Sequence, residues 1–241
     1  MKKALHISII SVIIVAIIFT ALMIILKYDE KGETNMPFDV SKISIISTVD
    51  AQDLQDGKNT WNKSIGQDND IYIYIDKNEN YKKTETIEKI EIDNFQINEK
   101  PQKGKISIYK PSSNEKVIFE NTNEYKVDEI TFLGEQSTNM KKLQISNQGG
   151  IIQFRVANED LGNFVSSGEQ VIEYKDLLKK INITEEELKT KISFDMNIIL
   201  GEGKQFKATI NLEIPAENIV ETGKSSKEMT DLDIVFKRVE N

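Results

Sequence analysis

Between Ile192 and Ile214 the chain alternates apolar and polar residues almost without interruption. Ile192, Phe194, Met196, Ile198 and Leu200 share one phase, and Phe206, Ala208, Ile210, Leu212 and Ile214 resume it after a short break. A period of two puts these side chains on one face of an extended strand, whereas a helix would scatter them. Gly201 and Gly203 in the break can take the positive φ that a tight turn needs, and Pro215 ends the second run. The segment predicts an antiparallel hairpin with one buried face. Its Gly-x-Gly also matches part of a phosphate loop, but no helix follows, so that reading is set aside.

The same signal recurs upstream. Ile71, Ile73 and Ile75 alternate with Tyr72 and Tyr74. Ile90 and Ile92 alternate, then Phe95 and Ile97 do so in the opposite phase, which predicts a bulge at Asp93-Asn94. Further short strands are expected at Ile106–Ile108, Val117–Phe119, Ile130–Leu133, Leu143–Ile145 and Ile151–Val156, with a turn at Gln148-Gly149-Gly150. Leu232, Ile234 and Phe236 predict a last strand, and Ser225-Ser226-Lys227 reads as polar loop. Two short helices are expected near 174–190. Leu177, Leu178 and Ile181 share a side, and Thr184 with Glu187 matches a capping box. The fold class is therefore mainly β: an antiparallel β-sandwich region, Ig-like or similar, with a two-helix insertion. The number of strands exceeds that of one seven-stranded sandwich. The expected division is two tandem sandwiches, 37–121 and 126–241, with one larger sandwich as the alternative.

Ahead of this lies Ala4–Leu26, 23 residues without an acidic or basic group apart from His6. As a helix it would be roughly 34 Å long, enough for a ~30 Å hydrocarbon core. Lys2 and Lys3 precede it, and Asp29, Glu30 and Glu33 follow soon after. That asymmetry predicts a cytoplasmic N-terminus and an extracytoplasmic remainder. Residues 1–27 are read as a signal anchor in the cell membrane and 28–36 as a polar linker. A cleaved signal peptide would have a shorter apolar run and a small-x-small site, which Thr20-Ala21-Leu22-Met23 does not supply.

Composition narrows the chemistry. The chain has 241 residues, no Cys and one His, so thiolate chemistry is excluded, and an imidazole base is excluded beyond His6. Setting aside Lys2, Lys3 and Lys27, 28 basic residues stand against 39 acidic ones. A net −11 argues against nucleic acid as a partner. Two residues, Arg155 and Arg238, are arginine, while Lys, Ile and Asn are abundant. Those three share A/T-rich codons, which points to a low-GC bacterium. Arg155 should face away from the core and pair with a neighbouring strand.

Three groups of residues carry candidate chemistry. Trp61, Tyr72 and Tyr74 are ligand-binding candidates, an aromatic platform for a sugar or a partner. Asp76, Asn78 and Asn80 have the 1-3-5 spacing of a calcium loop, but Tyr81 stands where that loop needs Gly and Ile87 where it needs Glu. Asp195 lies on the polar face of its strand. No catalytic residue and no cofactor is expected. The sequence reads as a non-catalytic interaction or scaffold module of the bacterial envelope. Its expected partners are the bilayer, through residues 4–26, and another membrane or envelope protein. The alternatives are a surface binder of glycans or small molecules and a carboxylate-dependent envelope hydrolase. No family resemblance emerges.

Overall fold

A computed structural model describes residues 17–21, 36–54, 61–81, 83–111, 119–121, 130–133, 145–166, 172–201 and 203–239. Among them are twelve strands: β1 (Phe38–Asp53), β2 (Trp61–Lys77), β3 (Ile87–Glu99), β4 (Lys105–Pro111), β5 (Phe119–Asn121), β6 (Ile130–Leu133), β7 (Ile145–Ser146), β8 (Gly149–Ser166), β9 (Thr190–Leu200), β10 (Gln205–Ile214), β11 (Lys224–Met229) and β12 (Lys237–Val239). They form two antiparallel sheets. A seven-stranded sheet runs β11-β1-β2-β8-β4-β5, with β7 also on β8, and a five-stranded sheet runs β12-β10-β9-β3-β6.

The predicted hairpin is β9–β10. Ile192 faces Leu212, Phe194 faces Ile210 and Met196 faces Ala208 across the ladder. Gly203 turns the chain at φ 78°, and Leu200 and Lys204 are joined by a 2.9 Å hydrogen bond. The phase change in β3 is a register shift between Asp93 and Gln96, with Asn94 at φ 50°.

The inner faces of both sheets meet in one apolar core. Ile43, Ile45, Ile71, Ile73, Ile152 and Phe154 come from the seven-stranded sheet; Ile90, Ile92, Ile192, Phe194 and Ile198 come from the five-stranded one. Phe154 and Phe194 cross edge to face at 5.3 Å, and Phe95 stacks on Phe194 at 6.1 Å. Each fully buried large apolar side chain contributes about 1.5–3 kcal/mol of transfer free energy.

β1, β2 and β8 are longer than their counterparts in the five-stranded sheet. Their far ends are covered by the one-turn helices Leu177–Lys180, Glu185–Leu188 and Ile219–Thr222. A second cluster forms there from Val49, Ile65, Leu161, Leu178, Leu188 and Val220. The capping box is present: Thr184 Oγ1 accepts from the Glu187 amide, and Glu187 accepts from the Thr184 amide at 3.0 Å. Where the two clusters meet, Ser47, Gln67 and Asn69 are buried and satisfy one another. Ser47 Oγ and Gln67 Nε2 both donate to Asn69 Oδ1, at 2.8 and 2.7 Å. Asn69 Nδ2 donates to the Val156 carbonyl, and Ser47 Oγ accepts from the Ala216 amide.

Several expectations need correction. Strand pairing crosses the boundary expected between Asn121 and Lys126. β2 pairs β8 along most of its length, and β3 pairs β9. A division into sandwiches 37–121 and 126–241 would cut both ladders, because each sheet draws strands from both segments. The polar stretch Lys224–Met229 is an edge strand on β1, not a loop. Leu232, Ile234 and Phe236 are outside the ladders. They pack on the core while the chain passes from β11 in one sheet to β12 in the other.

Most of the expected span 4–26 lies outside the described residues. Of it, residues 17–21 are helical, with Ile17, Ile18 and Phe19 exposed. Among the described residues no helix is long and apolar enough to cross a membrane. The linker 28–36 also lies outside them except for Met36, which is buried in the core.

Candidate functional site

Along β2 the odd positions from Ile65 to Ile75 are buried, so the even ones lie on the outer face of the seven-stranded sheet. There Ser64, Gly66 and Asp68 meet Ala157 of β8, the residue directly opposite Asp68. These small side chains leave a cleft of about 570 Å³. Asp50 and Gln52 of β1 form one wall, and Lys105 and Tyr109 of β4 form the other. A bulge shapes the upper end. Ile65 pairs Gly162 and Gln67 pairs Asn158, so three residues of β8 oppose Gly66 alone. The extra length, with Asp160 at φ 59°, lets Glu159 and Asp160 line the cleft while Leu161 turns into the helical end of the core.

Arg155 organises the charges. Its Nε and Nη2 donate to the two carboxylate oxygens of Asp70, at 2.5 and 3.0 Å, in a bidentate fork. Its Nη1 lies 2.6 Å from Asp68 Oδ2. Burial disfavours the charged guanidinium, but its hydrogen bonds to Asp70 and the carboxylates around it hold it protonated. Glu159 accepts from Ser107 Oγ at 2.9 Å and from the Tyr109 hydroxyl. Asp50 accepts from Gln52 Nε2 at 2.8 Å. Asp68 shares its one strong cation with Asp70. Burial, with Asp50, Asp70 and Glu159 nearby, outweighs Arg155 and pushes its carboxyl up to about 6.

The loop before β4 closes one side. Asn158 Nδ2 donates to the Lys103 carbonyl at 3.0 Å, and its Oδ1 lies against Gly104, whose φ is +85°.

The aromatic candidates are on the same outer face, further along β2. Tyr72 is half-buried, and burial raises its phenol above the usual range. Lys42 Nζ sits 4.2 Å above the Tyr74 ring and also bonds Glu228 at 3.2 Å. Trp61 opens β2 opposite Ser166, at the other end of the strand. The three residues are therefore not gathered into one platform.

The calcium candidates sit at the turn after β2. Asp76 accepts from Ser41 Oγ. Asn78 Nδ2 donates to the Met36 carbonyl at 2.9 Å, and its Oδ1 accepts from the Asn80 amide at 3.0 Å. Asn78 is thus occupied in shaping the turn. Among the described residues no three acidic or His side chains converge as a metal site.

Asp195 belongs to a separate network on the outer face of the five-stranded sheet. It accepts from Thr209 Oγ1 at 2.6 Å, Asn94 Nδ2 at 3.0 Å and Lys207 Nζ at 2.9 Å. Burial would raise its carboxyl, but these donors together hold it below the usual carboxylate range. It joins β9, β10 and the bulge of β3.

Comparison with protein-family models, with curated proteins and with solved structures finds no match to this chain.

Of this group the sequence singles out Arg155, expected to pair with a neighbouring strand. Asp50, Glu159 and Tyr109 carry no local signal.

Proposed function

We propose that this protein is a non-catalytic interaction module of the bacterial cell envelope. Residues 4–26 hold it as a single-pass anchor with the N-terminus inside. The outer face of the seven-stranded sheet receives a basic segment of another envelope protein. The observation that carries this reading is the cleft at Arg155, lined by the carboxylates of Asp50, Asp68, Glu159 and Asp160, with Lys105 on its wall and Asp70 bound to Arg155. Charge complementarity favours a Lys- or Arg-bearing segment there. The acidity of the whole region after residue 27 would speed the encounter.

The test is photo-crosslinking in intact cells from a reactive residue placed at Gln52, on the cleft rim. A matched probe goes at Gln96, in β3 of the other sheet. Capture of one dominant partner from Gln52 and not from Gln96 is the expected result. Equal capture at both positions, or none, sinks the cleft as the docking surface. Recovery of the protein in the soluble fraction sinks the anchor.

A hydrolase reading keeps one observation in its favour: Asp68, with its raised proton affinity, shares the cleft with the ionisable Glu159. Against it, Asp68 is held by Arg155 and Glu159 by Tyr109 and Ser107. Turnover of a cell-wall glycan that disappears in Asp68→Asn would favour this reading over the docking one. The glycan-binding reading is weakened by Lys42, which already covers the Tyr74 ring.

A further inference from the structure

Among the described residues the cleft holds more carboxylates than cations, and their hydrogen bonds are unevenly shared. Asp70 has two of the guanidinium donors, Glu159 has Tyr109 and Ser107, and Asp50 has Gln52. Asp68 has one guanidinium nitrogen on one oxygen, and its side chain is 16% exposed. The charged groups facing it come from three neighbouring strands as well as its own. They are Asp70 on β2, Asp50 on β1, Arg155, Glu159 and Asp160 on β8, and Lys105 on β4, with the Tyr109 phenol beside them.

We infer that Asp68 is the proton-binding group of this cleft. It takes up one proton between neutral and mildly acidic pH. Of the two carboxylates that Arg155 bonds, the proton neutralises the one held by a single nitrogen, and the Arg155–Asp70 fork remains intact. The protein thus has a built-in acid sensor on the outer face of the sheet, whether or not a partner docks there. Its raised proton affinity, about 6, places the transition just below neutrality. The cleft carries one negative charge fewer in mild acid than at neutral pH.

The test is a carboxyl-carbon NMR titration of the full-length protein labelled at aspartate. One resonance should titrate near pH 6 and vanish in Asp68→Asn. Asp70→Asn supplies the decisive arm. It frees Nε and Nη2 of Arg155 for Asp68 and should lower that midpoint by about one pH unit or more, as a guanidinium dedicated to one carboxylate does. A carboxyl that titrated independently of the Arg155–Asp70 pair would not move. The inference is overturned if every aspartate titrates below pH 5, or if Asp70→Asn leaves the midpoint in place. Because the wild-type titration and Asp70→Asn each decide it, a folding defect in Asp68→Asn would not.

Discussion

Two aspartates in this protein, Asp68 half-buried and Asp195 buried, respond to acid with opposite sign. The Asp68 carboxyl is raised in the folded state. Its stabilising contribution is fully present below the unfolded value near 3.9 and is lost as pH rises through about 6. Asp68→Asn should therefore match wild type at pH 4. By pH 8 it should be more stable by on the order of 2–3 kcal/mol in urea unfolding. Asp195 is lowered, so its contribution is present above the unfolded value and disappears as pH falls through its folded one. Asp195→Asn should be destabilised at pH 7 and converge with wild type in acid. If both variants show the same trend with pH, this account of the two sites is wrong. Asn69 offers a test free of charge. Replacing it with Ala leaves Ser47 and Gln67 unpaired in the interior and opens a void, at a cost of about 2–4 kcal/mol by denaturant melt.

Legibility in the sequence followed what each strand puts inside. β9 and β10 bury an unbroken apolar row, so their alternation was plain. The first half of β2 buries Gln67 and Asn69, polar residues that erase the pattern, and its strand was recognised from Asp70 onward only. β1 passed unread because a register shift between Val40 and Lys42 breaks its phase and Ser47 takes an inward place. β11 has almost no apolar content, as an edge strand can afford. The capping box was legible because its signal is local. The cleft was not, because Asp70 and Arg155 stand 85 residues apart and meet through the β2–β8 register alone. At this scale the loop before β4 makes a sharp prediction. A Cβ at Gly104 would collide with Asn158 Oδ1 and lie 2.7 Å from the Glu159 carbonyl oxygen, on a backbone with φ +85°. Gly104→Ala should cost at least about 1–3 kcal/mol. It should also shift the amide resonances of Asn158 and Glu159, and unchanged spectra with unchanged stability would contradict the close approach.

The whole molecule folds through contacts distant in sequence. β1 and β2 lie near the start and pair with β11 and β8, while β3 pairs with β9. Neither 37–121 nor 126–241 contains a complete sheet among its described strands. Expressed alone, each should give the narrow amide dispersion of an unfolded chain, whereas mixing the two should restore dispersed peaks to some degree. Dispersed spectra from either segment alone would show that the inter-segment ladders are dispensable. Such long-range pairing also predicts slow folding for a protein of this size.

β1 has a mechanical consequence. It begins two residues after Met36 and lies between two partners, with fifteen paired positions on β2 and six on β11. Ladder hydrogen bonds run perpendicular to the strands. A pull entering at the N-terminal end, as a membrane tether would deliver it, runs along β1 and loads those bonds together in shear. β12 meets its sheet at three positions on β10 and would peel from a pull at the other end. The domain is built to resist tension along the line by which it would be held and to yield first at the opposite end.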